Sequence, residues 1–227
     1  MTLDEITHDI VTCERCPRLR DYCRQVAVEK RKAFRDEEYW GKPVPGFGDP
    51  RARLLVVGLA PAAHGGNRTG RVFTGDGRGA SGEFLFAAMK AAGFANQIAC
   101  DRPGDGLKLK DAYILAAARC APPENKPLPA EIRNCQIHFD RELDALRRVR
   151  VMVALGRLAW DAALTQLKRR GDPLTPRPVF GHRVVYHSPV GIALIGSYHP
   201  SRQNTHTGRL TPSMLADVFV TARNLIR

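Results

Sequence analysis

Four cysteines in two sets are the residues best suited to chemistry. Cys13 and Cys16 form a C-x-x-C pair followed by proline, and Cys120 and Cys135 lie far downstream with 14 residues between them. A C-x-x-C turn presents two sulfurs to one metal centre, and four thiolates without histidine hold either zinc or an iron–sulfur cluster. Zinc modules usually contain two short C-x-x-C pairs, so the spacing leaves both metals open. Two further cysteines belong to neither set: Cys23 and Cys100.

A glycine-rich segment, GGNRTG at 65–70, is a second candidate for chemistry. It lacks the Gly-Lys-Ser/Thr ending of a Walker A motif and does not match G-x-G-x-x-G, which disfavours a nucleotide-cofactor site. Zinc deaminases need H-x-E together with P-C-x-x-C. His64 is followed by two glycines and Cys13 is preceded by Thr12, so the sequence excludes that chemistry.

Strands and helices alternate along the chain. Short apolar runs predict strands over 53–59, 112–118, 151–155, 184–186 and 192–197. Apolar periodicity and cap residues predict helices over 21–39, from a cap at Ser81 to a stop at Gly93, over 132–149, around Trp160 and Leu164, and from Thr211 with an inner face of Leu215, Val218, Phe219, Ala222 and Leu225. Glycine and proline predict loops over 40–50, 65–82 and 120–129.

This alternation predicts a mostly parallel sheet that helices cover on both faces. Ligands of such folds bind at the carboxyl ends of the strands. Three polar loops follow predicted strands there, over 60–76, 120–126 and 199–209. We therefore expect these loops to form one site.

Length and charge narrow the class of protein. The 227 residues and 44% apolar content suit one globular domain over 1–227. The net charge of +12 favours a polyanionic partner such as nucleic acid. The longest uncharged run around the most apolar stretch, Leu54 to Ala63, has ten residues and is too short to cross a bilayer. No secretory signal is recognisable, so the cytoplasm is the expected compartment.

Four long motifs carry a family resemblance: GLAPAAHG at 58–65, NRTGR-x-FTGD at 67–76, CAPPENKP at 120–127 and HPSRQNTHTGRLT at 199–211. Together they resemble the uracil-DNA glycosylase superfamily, and most of all its iron–sulfur family 5, the broad-specificity bacterial and archaeal type. The resemblance runs from Cys13 to the last helix. It implies an α/β three-layer sandwich with a mostly parallel four-stranded central sheet, and a [4Fe–4S] cluster on Cys13, Cys16, Cys120 and Cys135.

The same resemblance implies a monofunctional DNA glycosylase that flips a deaminated base out of the duplex and leaves an abasic site. Such a reaction needs an extrahelical pocket, donors aimed at the departing anionic base and a poised water. We expect Phe73 to stack on the base, Asn125 to read its Watson–Crick edge and His199 to donate to its oxygen. Asp76 would orient the water or stabilise the sugar cation. Further expected contacts are Ala62 and His64 to the base, and Arg202, Gln203, Asn204 and Arg209 to DNA.

The first loop departs from related families, because residues 59–63 contain no acid or amide that could activate water. This fits a roomier pocket, so hypoxanthine is a plausible second substrate besides uracil. A non-catalytic iron–sulfur or zinc nucleic-acid-binding module is the alternative, and a two-metal nuclease would need more carboxylates than the loops supply. We expect a monomer, with a structural role for the cluster.

Overall fold

The central feature of the fold is a six-stranded sheet. The computed structural model describes residues 1–75, 77 and 79–227. The strands are β1 (Phe47–Gly48), β2 (Leu54–Gly58), β3 (Ala112–Ala116), β4 (Val151–Leu155), β5 (Val185–His187) and β6 (Ala193–Ser197). Their spatial order is β1-β3-β2-β4-β6-β5. The inner four strands are parallel, and the two short edge strands are antiparallel to their neighbours.

The expected count of four strands is therefore corrected to six, while the mostly parallel character is confirmed. Every residue of the four inner strands is buried, which explains their nearly continuous apolar sequences. β1 has only two residues and lies in the predicted loop over 40–50, where no apolar alternation marks it.

Helices cover both faces and make the three-layer sandwich that the resemblance implied. The helices are α1 (Leu3–Val11), α2 (Pro17–Glu29), α3 (Gly66–Thr69), α4 (Ser81–Ala91), α5 (Pro129–Ala145), α6 (Arg157–Arg169), α7 (Arg202–His206) and α8 (Pro212–Ile226). One core joins α4 and α8 to one face of the sheet, and a second joins α5 and α6 to the other. Among the described residues, no helix is long and apolar enough to cross a membrane.

Several predicted boundaries are wrong. The helix expected over 21–39 ends at Glu29, and the chain then turns through a 3₁₀ segment at Lys32–Phe34. The predicted loop over 65–82 contains α3. Ser81 is the first residue of α4 rather than its cap.

The last helix begins as predicted, because the Thr211 hydroxyl accepts a hydrogen bond from the Met214 amide at 3.2 Å. Its inner face is predicted correctly except at one position. Leu225 is 37% exposed, and Ile226 is buried in its place.

A buried ion pair ties α5 to the segment that follows β3. Glu142 and Arg119 are each 1% exposed and pair directly. The Glu142 carboxylate also accepts hydrogen bonds from the Tyr113 hydroxyl and the Gly46 amide, both at 3.1 Å. Burial of the phenol raises the pKa of Tyr113, and the nearby Glu142 charge raises it further by a smaller amount. Because the pair is desolvated, each charge depends on the other.

Glu142→Gln is therefore expected to destabilise the fold. Removing one member of a buried pair leaves the other uncompensated and typically costs about 3–5 kcal/mol. Since glutamine keeps one acceptor, we expect a loss near the lower end, seen as a lower urea midpoint at constant pH. Asp144→Asn on the same helix is the control, because the Asp144 side chain is 73% exposed and its pair with Arg170 lies at the surface. Equal midpoints for the two variants would contradict the importance of the buried pair.

Candidate active site

A cavity of about 620 Å³ lies at the carboxyl ends of the inner strands. All three polar loops contribute to it, as their positions after predicted strands indicated. The segment after β2 supplies most of the wall, the turn after β3 supplies Asn125, and the segment after β6 supplies His199. The predicted convergence of the loops is thus observed.

Phe73 forms one wall of this cavity, with its ring held against the end of β2. A Cβ atom at Gly58 would lie 3.0 Å from that ring, and one at Gly82 would lie 2.2 Å from the Phe73 carbonyl oxygen. The two glycines therefore permit the close approach. The Phe73 and His199 rings stack with centroids 6.0 Å apart and planes 29° apart. An aromatic face fixed in this way can receive a flat ligand.

His199 follows β6 and is anchored through its backbone. The Asn204 side-chain amide donates to the His199 carbonyl oxygen at 2.8 Å. Burial lowers the pKa of the His199 imidazole to about 4. The ring is therefore neutral at neutral pH, and none of the described residues forms a hydrogen bond with its nitrogens. A neutral imidazole can donate one hydrogen bond from a fixed position.

Asn125 ends a 3₁₀ turn, Pro123–Asn125, in which both Glu124 and Asn125 have positive φ, at 54° and 57°. Its exposed side chain reaches the cavity, and no described residue forms a hydrogen bond with the side-chain amide. An amide that both donates and accepts is therefore available to a ligand.

Ala62 and His64 line the same cavity. The Tyr39 hydroxyl forms a 3.0 Å hydrogen bond with His64 Nδ1, which leaves Nε2 for other partners. Burial, with smaller contributions from Arg31 and Arg68, lowers the pKa of His64. Both residues are thus part of the cavity wall, and their contact with a base stays a prediction.

Asp76 lies outside the described residues, so its side chain cannot be placed. Its neighbour Gly75 lines the cavity, and the Arg68 guanidinium donates to the Gly75 carbonyl oxygen at 2.6 Å. Arg68 also donates to the His64 carbonyl oxygen at 2.9 Å and pairs with Glu37. One buried arginine thus holds two segments of the cavity wall in register.

Three residues at the cavity were not predicted from the sequence. Phe34 and Arg31 line it, and Arg68 holds its wall. The Arg68 guanidinium lies 3.9 Å from the centroid of the Phe34 ring. Phe34 and Arg31 belong to the segment that was predicted to be helical and partly solvated. A lone phenylalanine within a strongly charged run is the signal that could have marked it.

The four residues predicted to contact DNA occupy two kinds of position around α7. Arg202, Gln203 and Arg209 are exposed, and Arg202 lines the cavity. The Arg209 guanidinium lies 4.7 Å from the centroid of the Tyr198 ring. Asn204 is half-buried and its amide holds His199, so within this structure it positions the site rather than facing outward.

Cys13, Cys16, Cys120 and Cys135 line a second, small enclosed cavity, the cysteine cavity. Cys16 is the N-cap of α2, and Cys135 lies within α5. Burial raises the pKa of Cys16 and raises that of Cys135 to about 12. Cys23 lies outside this cavity, its thiol donates to the Ala121 carbonyl oxygen at 3.5 Å, and its interaction with Cys120 raises the pKa of Cys120. The fold therefore brings a fifth cysteine beside the four.

Donor groups surround these thiols. The Asn134 amide donates to Cys16 Sγ at 3.6 Å. Arg119 Nε and Nη1 and both ring nitrogens of His138 are buried without a hydrogen-bond partner among the described residues. The positive N-terminal end of α2 also lies here. Within the described ranges, no three His, Cys, Asp or Glu side chains are grouped closely enough to hold one metal ion.

Comparison with known proteins gives the family. A family model described as the uracil DNA glycosylase superfamily matches residues 45–222. A Mycobacterium tuberculosis (strain CDC 1551 / Oshkosh) protein named type-5 uracil-DNA glycosylase is 49% identical over 222 residues, or 97% of this chain and 81% of that protein. A Thermus thermophilus protein of the same name is 47% identical over 227 residues, or 99% of each chain.

A more distant relative, named type-4 uracil-DNA glycosylase, comes from Archaeoglobus fulgidus. It is 29% identical over 208 residues, or 88% of this chain and 82% of that protein. The identity to the type-5 proteins is much higher and spans nearly the whole chain. The chain therefore belongs to the uracil DNA glycosylase superfamily, within its type-5 family.

Proposed function

We propose that this protein is a monofunctional DNA glycosylase that excises uracil from DNA by hydrolysing the N-glycosidic bond. The observation that carries the proposal is the single cavity at the strand ends that Phe73, Asn125 and His199 share. A base inside a duplex is out of reach of such a cavity, so the target nucleotide must rotate out of the stack to enter it. The type-5 relatives carry the same activity in their names.

Each side chain of the cavity has a separate role in the reaction. Phe73 stacks on the everted base, and the Asn125 amide hydrogen-bonds its Watson–Crick edge. As the bond breaks, negative charge develops on the base, and the His199 N–H donates to the base oxygen. Because the imidazole is already neutral and fixed, it stabilises that charge without first reorganising. Asp76 orients the attacking water or stabilises the sugar cation.

The substrate range includes hypoxanthine as well as uracil. Ala60, Ala62 and Ala63 keep the first loop small, and a cavity of about 620 Å³ is large enough for a purine base. Asn125 can present either its donor or its acceptor to a base edge. Ala62 and His64 contact the base from the side of the first loop.

A [4Fe–4S] cluster on Cys13, Cys16, Cys120 and Cys135 completes the protein. The four thiols surround one enclosed cavity, and buried donors face it without acceptors. Thiolates and sulfides would supply those acceptors. In a cluster each cysteine binds a different iron atom, so no three ligands need to meet at one ion. Bound to these four cysteines, the cluster would tie the N-terminal segment to the loop after β3, which is a structural role.

The remaining features concern DNA and assembly. The +12 net charge favours contacts with phosphates or with the opened duplex. The exposed Arg202, Gln203 and Arg209 are the candidates for these contacts, and Arg202 also lines the cavity. One chain supplies the whole cavity, in keeping with a monomer and with one domain over 1–227. A cytoplasmic location stays a prediction. A non-catalytic binding module is less favoured, because it would not need Phe73, Asn125 and His199 in one pocket.

The function is tested with end-labelled duplexes that contain one uracil or one hypoxanthine, followed by alkaline cleavage of abasic sites. We expect strand cleavage only after alkali, with both lesions and not with undamaged duplex. Cleavage before alkali would contradict a monofunctional mechanism. A lack of product from cluster-loaded protein with both lesions would overturn the proposal.

Arg68→Lys is expected to lower the rate of excision more than the affinity for DNA. An ammonium cannot reproduce the planar fork that reaches the Gly75 and His64 carbonyl oxygens together. Losing one hydrogen bond from a charged group corresponds to about a tenfold change. We expect roughly that loss in single-turnover rate, with an almost unchanged dissociation constant. Arg177→Lys, in a surface pair with Asp161, is the control. Parallel losses of rate and affinity would contradict the positioning role.

A further inference from the structure

His138 and Arg119 are the least satisfied polar side chains in the described part of the protein. His138 is 3% exposed and Arg119 is 1% exposed. Neither ring nitrogen of His138 has a hydrogen-bond partner, and neither do Nε and Nη1 of Arg119. Buried donors without acceptors typically cost about 1–3 kcal/mol each, so native proteins rarely keep them without a reason.

Both side chains line the cysteine cavity. Arg119 precedes Cys120 in the chain, and His138 follows Cys135 by one helical turn of α5. Another basic side chain at the same cavity, Arg20, behaves differently. Its guanidinium donates to the Gly41 carbonyl oxygen at 3.1 Å and pairs with Glu14 at 3.3 Å. The unmet donors are therefore confined to two of the side chains at this cavity.

We propose that His138 and Arg119 are donors to the sulfur atoms of the [4Fe–4S] cluster, and that these hydrogen bonds hold the cluster in the protein. The inference rests on the cluster assigned above and goes beyond its four ligands. A cluster with four thiolates carries negative charge on its sulfurs, and hydrogen bonds to those sulfurs are among the means by which a protein tunes it. Arg119 keeps its third nitrogen, Nη2, on Glu142, which fixes the orientation of the guanidinium.

The chemistry of the two side chains agrees with these roles. An imidazole offers at least one N–H, and the Arg119 guanidinium supplies positive charge. The Asn134 amide, which already donates to Cys16 Sγ, shows that side chains on α5 reach the sulfurs.

The test compares His138→Phe, His138→Asn and wild-type protein, each isolated with its cluster. Iron and sulfide content and visible absorbance first establish whether the cluster is present. The phenylalanine ring fills the same space without an N–H, whereas asparagine keeps one. His138→Phe is expected to release iron to a chelator about tenfold faster, since one hydrogen bond to a charged group is lost. It should also raise the Fe–S(Cys) stretching frequencies in resonance Raman spectra, and His138→Asn should restore both readouts.

The direction in which His138→Phe changes the rate of iron release decides whether His138 donates to the cluster. If the His138 nitrogens had no partner, an apolar ring would relieve an unmet polar group and the cluster would be held equally well or better. An unchanged or slower release with unchanged Raman bands would therefore overturn the proposal. Wild-type protein without iron and sulfide would instead overturn the cluster itself. His182→Phe is the matched control, because His182 Nε2 is also buried but His182 does not line the cysteine cavity.

Discussion

His199→Ala is expected to slow the excision of uracil by about 10²–10³-fold in single-turnover assays, the usual cost of removing one preorganised donor at developing negative charge. The fold should survive, because the backbone carbonyl of residue 199 keeps its hydrogen bond from Asn204. His206→Ala, at the exposed end of α7, is the control and should leave the rate nearly unchanged. A His199→Ala rate within a few-fold of wild type would remove this residue from the mechanism.

The dependence of rate on pH gives an independent check of the same residue. Burial lowers the pKa of His199 to about 4, so the ring stays neutral from alkaline pH down to about pH 5. The wild-type rate should therefore show no inflection near pH 6.5, the ordinary histidine value. Since protons bind the unfolded state first, this histidine lowers stability as the pH falls from about 6.5 towards 4. A rate inflection at pH 6–7 that His199→Ala abolishes would contradict a neutral donor.

Cys120→Ser is expected to abolish the visible absorbance of the iron–sulfur cluster and most of the bound iron. The same variant should unfold at lower urea concentration, because the cluster closes more than a hundred residues of chain between Cys16 and Cys120. The matched control is Cys23→Ser. Cys23 lies against Cys120 but outside the cysteine cavity, so its replacement should keep the visible band.

The two cysteine variants together test the ligand assignment. Loss of the band in Cys23→Ser with retention in Cys120→Ser would reverse the assignment. Retention of iron and colour in both would show that neither sulfur is a ligand. The spacing of the cysteines in the sequence gives Cys23 no role. Only the family resemblance therefore distinguishes Cys120 from Cys23 as a cluster ligand.

The inner strands could be predicted because their apolar runs are buried on both sides, and the loops could be placed because strand ends share one edge. The same reasoning fails where the partner of a residue is distant in sequence. Phe34 packs under Arg68, and no local pattern indicates that the charged segment around it turns over the cavity. Asn204 resembles a surface DNA contact in sequence, yet the fold uses its amide to hold His199.

Edge strands and helix ends are also difficult to predict from the sequence. β1 contains only Phe47 and Gly48, and it pairs with β3, more than sixty residues away. α2 ends at Glu29 without a glycine or proline stop, at Lys30 with a φ of 51°. His138 carries no motif at all, and only the fold shows that it is buried beside the cysteines.

A crystal structure of the His199→Ala variant bound to a duplex that contains one uracil would show directly where the base binds. We expect an everted uracil inside the cavity at the strand ends, with its face on the Phe73 ring and its Watson–Crick edge on the Asn125 side-chain amide. A uracil that remains stacked in the duplex, or that binds at another surface of the protein, would contradict this expectation.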